Sequence, residues 1–212
     1  MLVSEVMLQQ TQYARVLTRW QAWLDRWPTV ESLAAAARAD VIRAWDGLGY
    51  NRRAVNLHKA AQSIADHGWP DDLTELPGVG RYTADAVASR SFGAKVLPVD
   101  VNVRRVLERS GLELDHECGP ALMSLGAQVC IARIPRCDVC PLADVCPSRG
   151  LTFEPARKQS PYEGSFRQRR ACTLRLVAAQ PRLEAELDVE TVSALERDGL
   201  VEVRAGLVRL AK

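Results

Sequence analysis

The chain has 212 residues, with 28 Lys and Arg against 26 Asp and Glu, a net charge of +2, and 47% hydrophobic residues. That size and apolar content suit one buried core, or one plus a small appendage. No apolar run approaches the ~20 residues of a membrane span, and no signal peptide is visible at Met1, so a cytosolic protein is expected. A net charge this small leaves any nucleic-acid role to local basic patches.

Met1 to about Val16 reads as a helix that carries Glu5, Gln9 and Gln12 on one face. Trp20, Trp23 and Trp27 follow at helical spacing and are expected in the core. Thr29 to Trp45 reads as two short helices, with Asp40 as an N-cap. Gly47-Leu48-Gly49-Tyr50 then breaks the chain, with Tyr50 either packed or exposed for contact and Arg52-Arg53 placed to meet phosphates. Asn51 to His67 reads as an amphipathic helix with Ala54, Leu57, Ala61 and Ile64 on one stripe, ended by Gly68; His58 and His67 are read as structural.

Leu76-Pro77-Gly78-Val79-Gly80-Arg81 is a tight turn leading into a helix over Thr83 to Arg90. It is either an ordinary turn between helices or a phosphate grip made from free N–H groups at a helix N-terminus. Asp100 is placed to cap a helix beginning at Val101, and a carboxylate there accepts backbone N–H bonds that keep it ionised. Four of the six cysteines follow the spacing Cys130-x6-Cys137-x2-Cys140-x5-Cys146. In a cytosolic protein this favours metal over disulfides: an iron–sulfur cluster, or an all-cysteine zinc site, although zinc usually pairs two Cys-x2-Cys knuckles and only one is present. Cys118 and Cys172 read as plain thiols, and Arg133 and Arg136 as candidate phosphate contacts. Residues 147–166, with Pro155, Pro161 and Gly164, read as a linker. Residues 167–212 read as helix, helix, hairpin, like a small winged helix; the basic start and acidic remainder suggest docking more than DNA binding.

Three blocks together resemble one family. These are Ser4-Glu5-Val6-Met7-Leu8-Gln9-Gln10-Thr11-Gln12, the hairpin Pro77-Gly78-Val79-Gly80-Arg81 with Asp100, and the four-cysteine loop. They resemble the MutY adenine glycosylases of the helix-hairpin-helix, endonuclease III superfamily, from Val3 to about Cys146. The resemblance implies an all-α helix-hairpin-helix glycosylase domain over 1–146, with a four-iron cluster (4Fe-4S) on Cys130, Cys137, Cys140 and Cys146. The linker at 147–166 and the winged-helix-like α+β module at 167–212 complete the expected organisation.

It also implies an activity: excision of adenine mispaired with 8-oxoguanine or guanine, in double-stranded DNA with mismatched or oxidised base pairs. By this resemblance Glu5 is the acid that protonates the base and Asp100 the anion that faces the cationic sugar. Tyr82 lines the site where bifunctional relatives carry a Schiff-base lysine, so a monofunctional enzyme is implied. Gln9, Gln10, Thr11, Tyr50 and Arg52 would contact the DNA around the gap, and the 77–81 hairpin would grip phosphate. A bacterial, nucleoid-associated monomer in the cytoplasm is expected. The chain departs from the family at Val101, where Gly or Thr is usual, in the short 110–120 segment, and in lacking room for a Nudix-like domain after Cys146. Two alternatives stand beside this reading: a thymine (T·G) mismatch glycosylase of the same superfamily, and a non-catalytic remnant that binds lesions.

Overall fold

The computed structural model describes residues 1–154 and 161–212. In chain order its helices are α1 (Leu2–Leu8), α2 (Tyr13–Arg26), α3 (Val30–Ala34), α4 (Arg38–Ala44), α5 (Arg52–His67), α6 (Arg81–Phe92), α7 (Val101–Ser110), α8 (Gly119–Gln128), α9 (Phe166–Ala179) and α10 (Val189–Arg197). Three short strands, β1 (Arg182–Leu183), β2 (Val201–Arg204) and β3 (Leu207–Leu210), form an antiparallel sheet in the order β1-β3-β2. None of the described helices is long and apolar enough to cross a membrane. The chain divides into two compact units, Leu2–Val79 with Ser160–Lys212, and Met1 with Gly80–Gln159. Pro155, in the expected linker, lies outside the described residues.

In the first unit the single helix expected over Met1 to Val16 is two. The break falls at Gln10, whose φ of 55° no α-helix tolerates, and α2 restarts after Gln12. Of the three expected core tryptophans Trp20 is only half-buried, while Trp23 and Trp27 do build core: Trp23 packs edge-on against both Trp27 and Trp45, at 4.7 and 5.5 Å between ring centroids. Asp40 is not a cap. It sits inside the first turn of α4, paired with Arg43 and Arg26, whereas the cap that forms is Thr29, in a reciprocal capping box with Ser32. On α5 the predicted stripe of Ala54, Leu57, Ala61 and Ile64 is buried as its spacing requires.

The C-terminal elements of this unit do not close a core of their own. Leu174 and Val177 of α9, Val192 and Leu195 of α10, and Leu200, Val201, Val208 and Leu210 around the hairpin join Ile42 of α4 and Val55 of α5 in one apolar cluster. Helix, helix and hairpin are present as the spacing predicts, with Ala205 and Gly206 both at positive φ in the two-residue turn. Several carboxylates of the acidic second half are ion-paired with arginines of the same unit, while Glu186, Glu190 and Glu196 are exposed. Arg169 pairs with Asp188 and Glu190 at 2.5 and 2.8 Å, Arg170 with Asp198, and Arg209 with Glu202 at 2.7 Å.

The second unit is small. Val103 and Val106 of α7 and Leu122 of α8 form its buried centre, with Leu97, Val99 and Leu125 packed around them. The two helices touch at Gly126, where a Cβ would stand 2.7 Å from the Asn102 carbonyl oxygen, so only glycine permits this approach.

His58 is buried in α5, and burial pulls its imidazole below the ordinary histidine range. The nearby Arg38 charge acts in the same direction, against an opposing pull from the Ala34 and Ala36 backbone. A group held neutral in the fold contributes stability above its unfolded pKa and loses it as the pH falls. The urea midpoint should therefore drop as the pH is lowered below about 6.5, and His58→Leu should flatten that drop. A His58→Leu profile as steep as the wild type would refute this.

Candidate functional site

Arg53 organises the site residues of the first unit. Its place in the sequence suggests a phosphate contact, but it is 8% exposed and its guanidinium is used inside the protein. Nη1 donates to the carbonyls of Val6, Met7 and Gln9 at 2.8, 2.9 and 2.6 Å, capping the C-terminal end of α1. Nη2 donates to the Leu48 and Gly49 carbonyls at 3.1 and 2.9 Å and to Thr11 Oγ1 at 2.9 Å. The same guanidinium lies over the Trp45 and Tyr50 rings, at 5.2 and 5.6 Å. Burial lowers its pKa to about 10, which leaves it cationic at neutral pH. One side chain thus ties the Gln9-Gln10-Thr11 segment to the Gly47–Tyr50 loop.

Around this tie the predicted residues take up specific positions. Glu5 is buried in α1, at 3% exposure. Gln9 is half-buried and reaches the Gly78 carbonyl through its amide nitrogen at 3.4 Å. Thr11 donates to the Leu48 carbonyl at 3.1 Å. Gln10 is exposed with φ 55°, and Tyr50 is 46% exposed with φ 45°. Left-handed backbone at two non-glycine residues is strained by about 1–3 kcal/mol each, a cost that persists where surroundings over-determine the conformation. The Arg53 bonds to the Gln9 and Gly49 carbonyls supply that determination. Arg52, unlike Arg53, points outward and is weakly paired with Asp198 at 3.6 Å.

The Leu76–Val79 turn closes through Val79 N–H donating to the Leu76 carbonyl at 3.0 Å, with both side chains buried, Pro77 half-buried and Gly78 exposed. Gly78 has φ 78°, and a Cβ there would stand 2.7 Å from Asn56 Cβ, so a side chain is excluded twice over.

In the second unit α6 starts at Arg81 with Gly80 as its cap. Arg81 is exposed and paired with Asp85 at 3.2 Å; Tyr82 is half-buried. Asp100 caps α7 as predicted. Its Oδ1 accepts from the Asn102 and Val103 N–H groups at 2.8 and 2.7 Å, and its Oδ2 accepts from the Asn102 amide at 2.9 Å. That amide is held in turn: Arg105 Nη2 donates to Asn102 Oδ1 at 2.8 Å and to the Gly126 carbonyl at 2.7 Å, and Arg105 Nε donates to the Cys130 carbonyl at 2.7 Å. Asp100 and the cysteine loop are therefore joined by one hydrogen-bonded chain.

Cys130, Cys137, Cys140 and Cys146 all line one cavity, and none is in a disulfide. Donors are aimed at two of the sulfurs: Gly150 N–H at Cys137 Sγ (3.4 Å) and Arg109 Nη1 at Cys130 Sγ (3.6 Å). Arg109 also donates to the Ile131 and Ala132 carbonyls at 2.9 and 2.6 Å and stacks on Phe153 at 3.6 Å. Four thiols around one cavity, with N–H groups directed at two of the sulfurs, are a donor set of the kind that metal–thiolate sites use. Arg133 and Arg136 on this loop are exposed.

Sequence reasoning alone misses the structural part played by Arg53, Arg105 and Arg109. Arg105 and Arg109 share a face at i, i+4, and Arg53 precedes Ala54 and Val55 on a buried stripe; an arginine in an apolar face is the one signal available. Removing Arg53 as Arg53→Met should cost about 3–5 kcal/mol of unfolding free energy, because several buried carbonyls lose their donor. Chemical denaturation would measure it, and a loss under about 1 kcal/mol would contradict the assigned role.

Residues 3–118 match the family described as HhH-GPD superfamily base excision DNA repair protein. The chain is 44% identical over 238 aligned positions to an adenine DNA glycosylase of Mycobacterium tuberculosis, covering 95% of this chain and 78% of that protein. It is 42% identical to one of Mycolicibacterium smegmatis, covering 96% and 84%. The human adenine DNA glycosylase is 39% identical, over 69% of this chain and 33% of its own. Among solved structures, a trapped endonuclease III–DNA covalent intermediate superimposes with a TM-score of 0.61 at 26% identity, covering 69% of this chain and 81% of that one.

Proposed function

Because the chain belongs to the HhH-GPD superfamily of base excision DNA repair proteins, we propose that it is an adenine DNA glycosylase that hydrolyses the bond between adenine and deoxyribose where adenine faces 8-oxoguanine or guanine. The observation that carries this reading is the pair of carboxyls in unlike surroundings. Glu5 is buried in a mostly apolar helix, and Asp100 is held by three hydrogen bonds at a helix N-terminus.

In this reading the duplex releases the target nucleotide from its stack, at a cost of a few kcal/mol. Gln9, Gln10, Thr11, Tyr50 and Arg52 contact the DNA around the gap. The hairpin Pro77-Gly78-Val79-Gly80-Arg81 grips backbone phosphate at the N-terminal end of α6. Glu5 gives a proton to a ring nitrogen of adenine as the bond to the sugar breaks, so the base leaves neutral. The electron pair of that bond goes with the base, and positive charge develops on the sugar. Asp100, with its lone pairs fixed by Asn102 and Val103, faces that charge as a preorganised anion. Water completes the hydrolysis and leaves an abasic site. Tyr82 has no amine for a Schiff base, so the strand stays intact.

Cys130, Cys137, Cys140 and Cys146 are the residues that would hold a 4Fe-4S cluster, which when bound supplies a rigid cross-link of the loop and takes no part in the hydrolysis. The protein acts as a monomer on double-stranded DNA in the cytoplasm.

Duplexes bearing adenine opposite 8-oxoguanine, treated with enzyme and then alkali, should break at the adenine, and borohydride should trap no covalent complex. Glu5→Gln should slow base release by about 10²–10⁴-fold. Asp100→Asn should slow it by about 10²–10³-fold. A wild type as inert as these variants, or one that releases thymine from T·G in the same panel, would overturn the reading. The purified protein should carry iron and sulfide and absorb in the visible, which zinc does not. Cys137→Ser should lose that absorption, and a colourless zinc protein would refute the cluster.

A further inference from the structure

The first unit carries a groove that none of these roles uses. Two contiguous cavities, of about 510 and 360 Å³, share Asp46, Asn51, Leu174 and Arg175. One wall is the loop that ends in Tyr50, through Gly47, Gly49 and Asn51; the other is α9, with Tyr162 at the near end. Arg15 on α2 and Arg43 on α4 complete it. The charges facing the groove are unequal. Arg15, Arg43 and Arg175 stand against Asp46, and the Arg19 guanidinium lies over Gly47, 3.0 Å from where a Cβ would be.

Arg175 is paired with Asp46 at 3.2 Å, and Arg43 with Asp40 at 3.0 Å. Arg15 and Arg19, one helical turn apart, have no ion pair among the described residues. The Arg175–Asp46 pair is more than half exposed on both sides, so it is weak and free to exchange partners. Tyr162 is half exposed and offers a hydroxyl donor. A groove with excess guanidinium and a phenol suits a polyanion, whose phosphates such groups bind.

We propose that this groove is a second DNA contact, in which Arg15, Arg19, Arg175 and Tyr162 bind backbone phosphates of the duplex beside the Tyr50 loop. The inference rests on the glycosylase reading and adds to it a contact supplied jointly by α2 and the C-terminal segment. It also gives that segment a part in DNA binding, which its internally neutralised α9–α10 face does not provide.

The test is duplex binding by fluorescence anisotropy over a range of salt, for wild type, Arg15→Ala/Arg19→Ala and Tyr162→Phe. The double variant should bind damaged and undamaged duplexes alike more weakly. The slope of log affinity against log salt should become shallower by about 0.9 for each phosphate no longer neutralised. Ethylation of single phosphates should identify one or more positions that block the wild type and not the double variant. An unaltered slope and ethylation pattern, with wild type binding normally, would overturn the proposal and leave the glycosylase reading in place. Wild type that neither binds duplex nor releases base would instead remove the reading on which it rests. Unfolding midpoints equal to wild type confirm that the exposed substitutions leave the fold intact.

Discussion

A single buried guanidinium gathers the chain segments that carry the proposed site residues of the first unit. Six carbonyls and a hydroxyl converge on Arg53, from the end of α1, the residues after it and the Gly47–Tyr50 loop. The physical reason for an arginine is geometric. Its planar fork presents five N–H donors in fixed directions, where a lysine offers three on a flexible stem. Burying the charge is costly in isolation, and the dense ring of carbonyl dipoles offsets the cost. The consequence is a loop and a helix end that hold together, with Gln10 and Tyr50 in backbone conformations they would not adopt alone.

The second unit uses the same device in another place. Arg105 and Arg109 project from α7 toward the cysteine loop and donate to the carbonyls of Cys130, Ile131 and Ala132. Between Cys130 and Cys146 the loop has one short helical turn, Cys137–Val139, and so few regular backbone partners of its own; side chains must satisfy its carbonyls. In both units, arginines on helices hold the irregular segments that carry the proposed chemistry.

Much of this was legible in the sequence, and unevenly so. Helix existence came through wherever apolar spacing was regular, as in α5 and α7. The Asp100 cap was readable because an aspartate before Val-Asn-Val has one strong local use. The break at Gln10 was not, since nothing in Leu-Gln-Gln-Thr-Gln forbids a helix; the tertiary demand of Arg53 imposes it. Asp40 misled because capping propensity takes no account of Arg26, a partner distant in sequence. The ion pairs from Arg169 and Arg170 to Asp188, Glu190 and Asp198 were not readable, because a charge pattern does not reveal which segments lie across from one another. Family resemblance named candidate site residues, but it could not show that Arg53 faces inward while Arg52 faces out.

The chain of hydrogen bonds from the Cys130 carbonyl through Arg105 and the Asn102 amide ends on Asp100 Oδ2. Three acceptors, the Cys130 carbonyl, the Gly126 carbonyl and Asn102 Oδ1, fix the Arg105 guanidinium. The orientation of the Asn102 amide, and with it the bond to Asp100 Oδ2, therefore depends on where the start of the cysteine loop lies, whereas Oδ1 is held by the helix's own N–H groups. The two oxygens of one carboxylate thus answer to different parts of the unit, one to local helix geometry and one to a loop about thirty residues further along the chain.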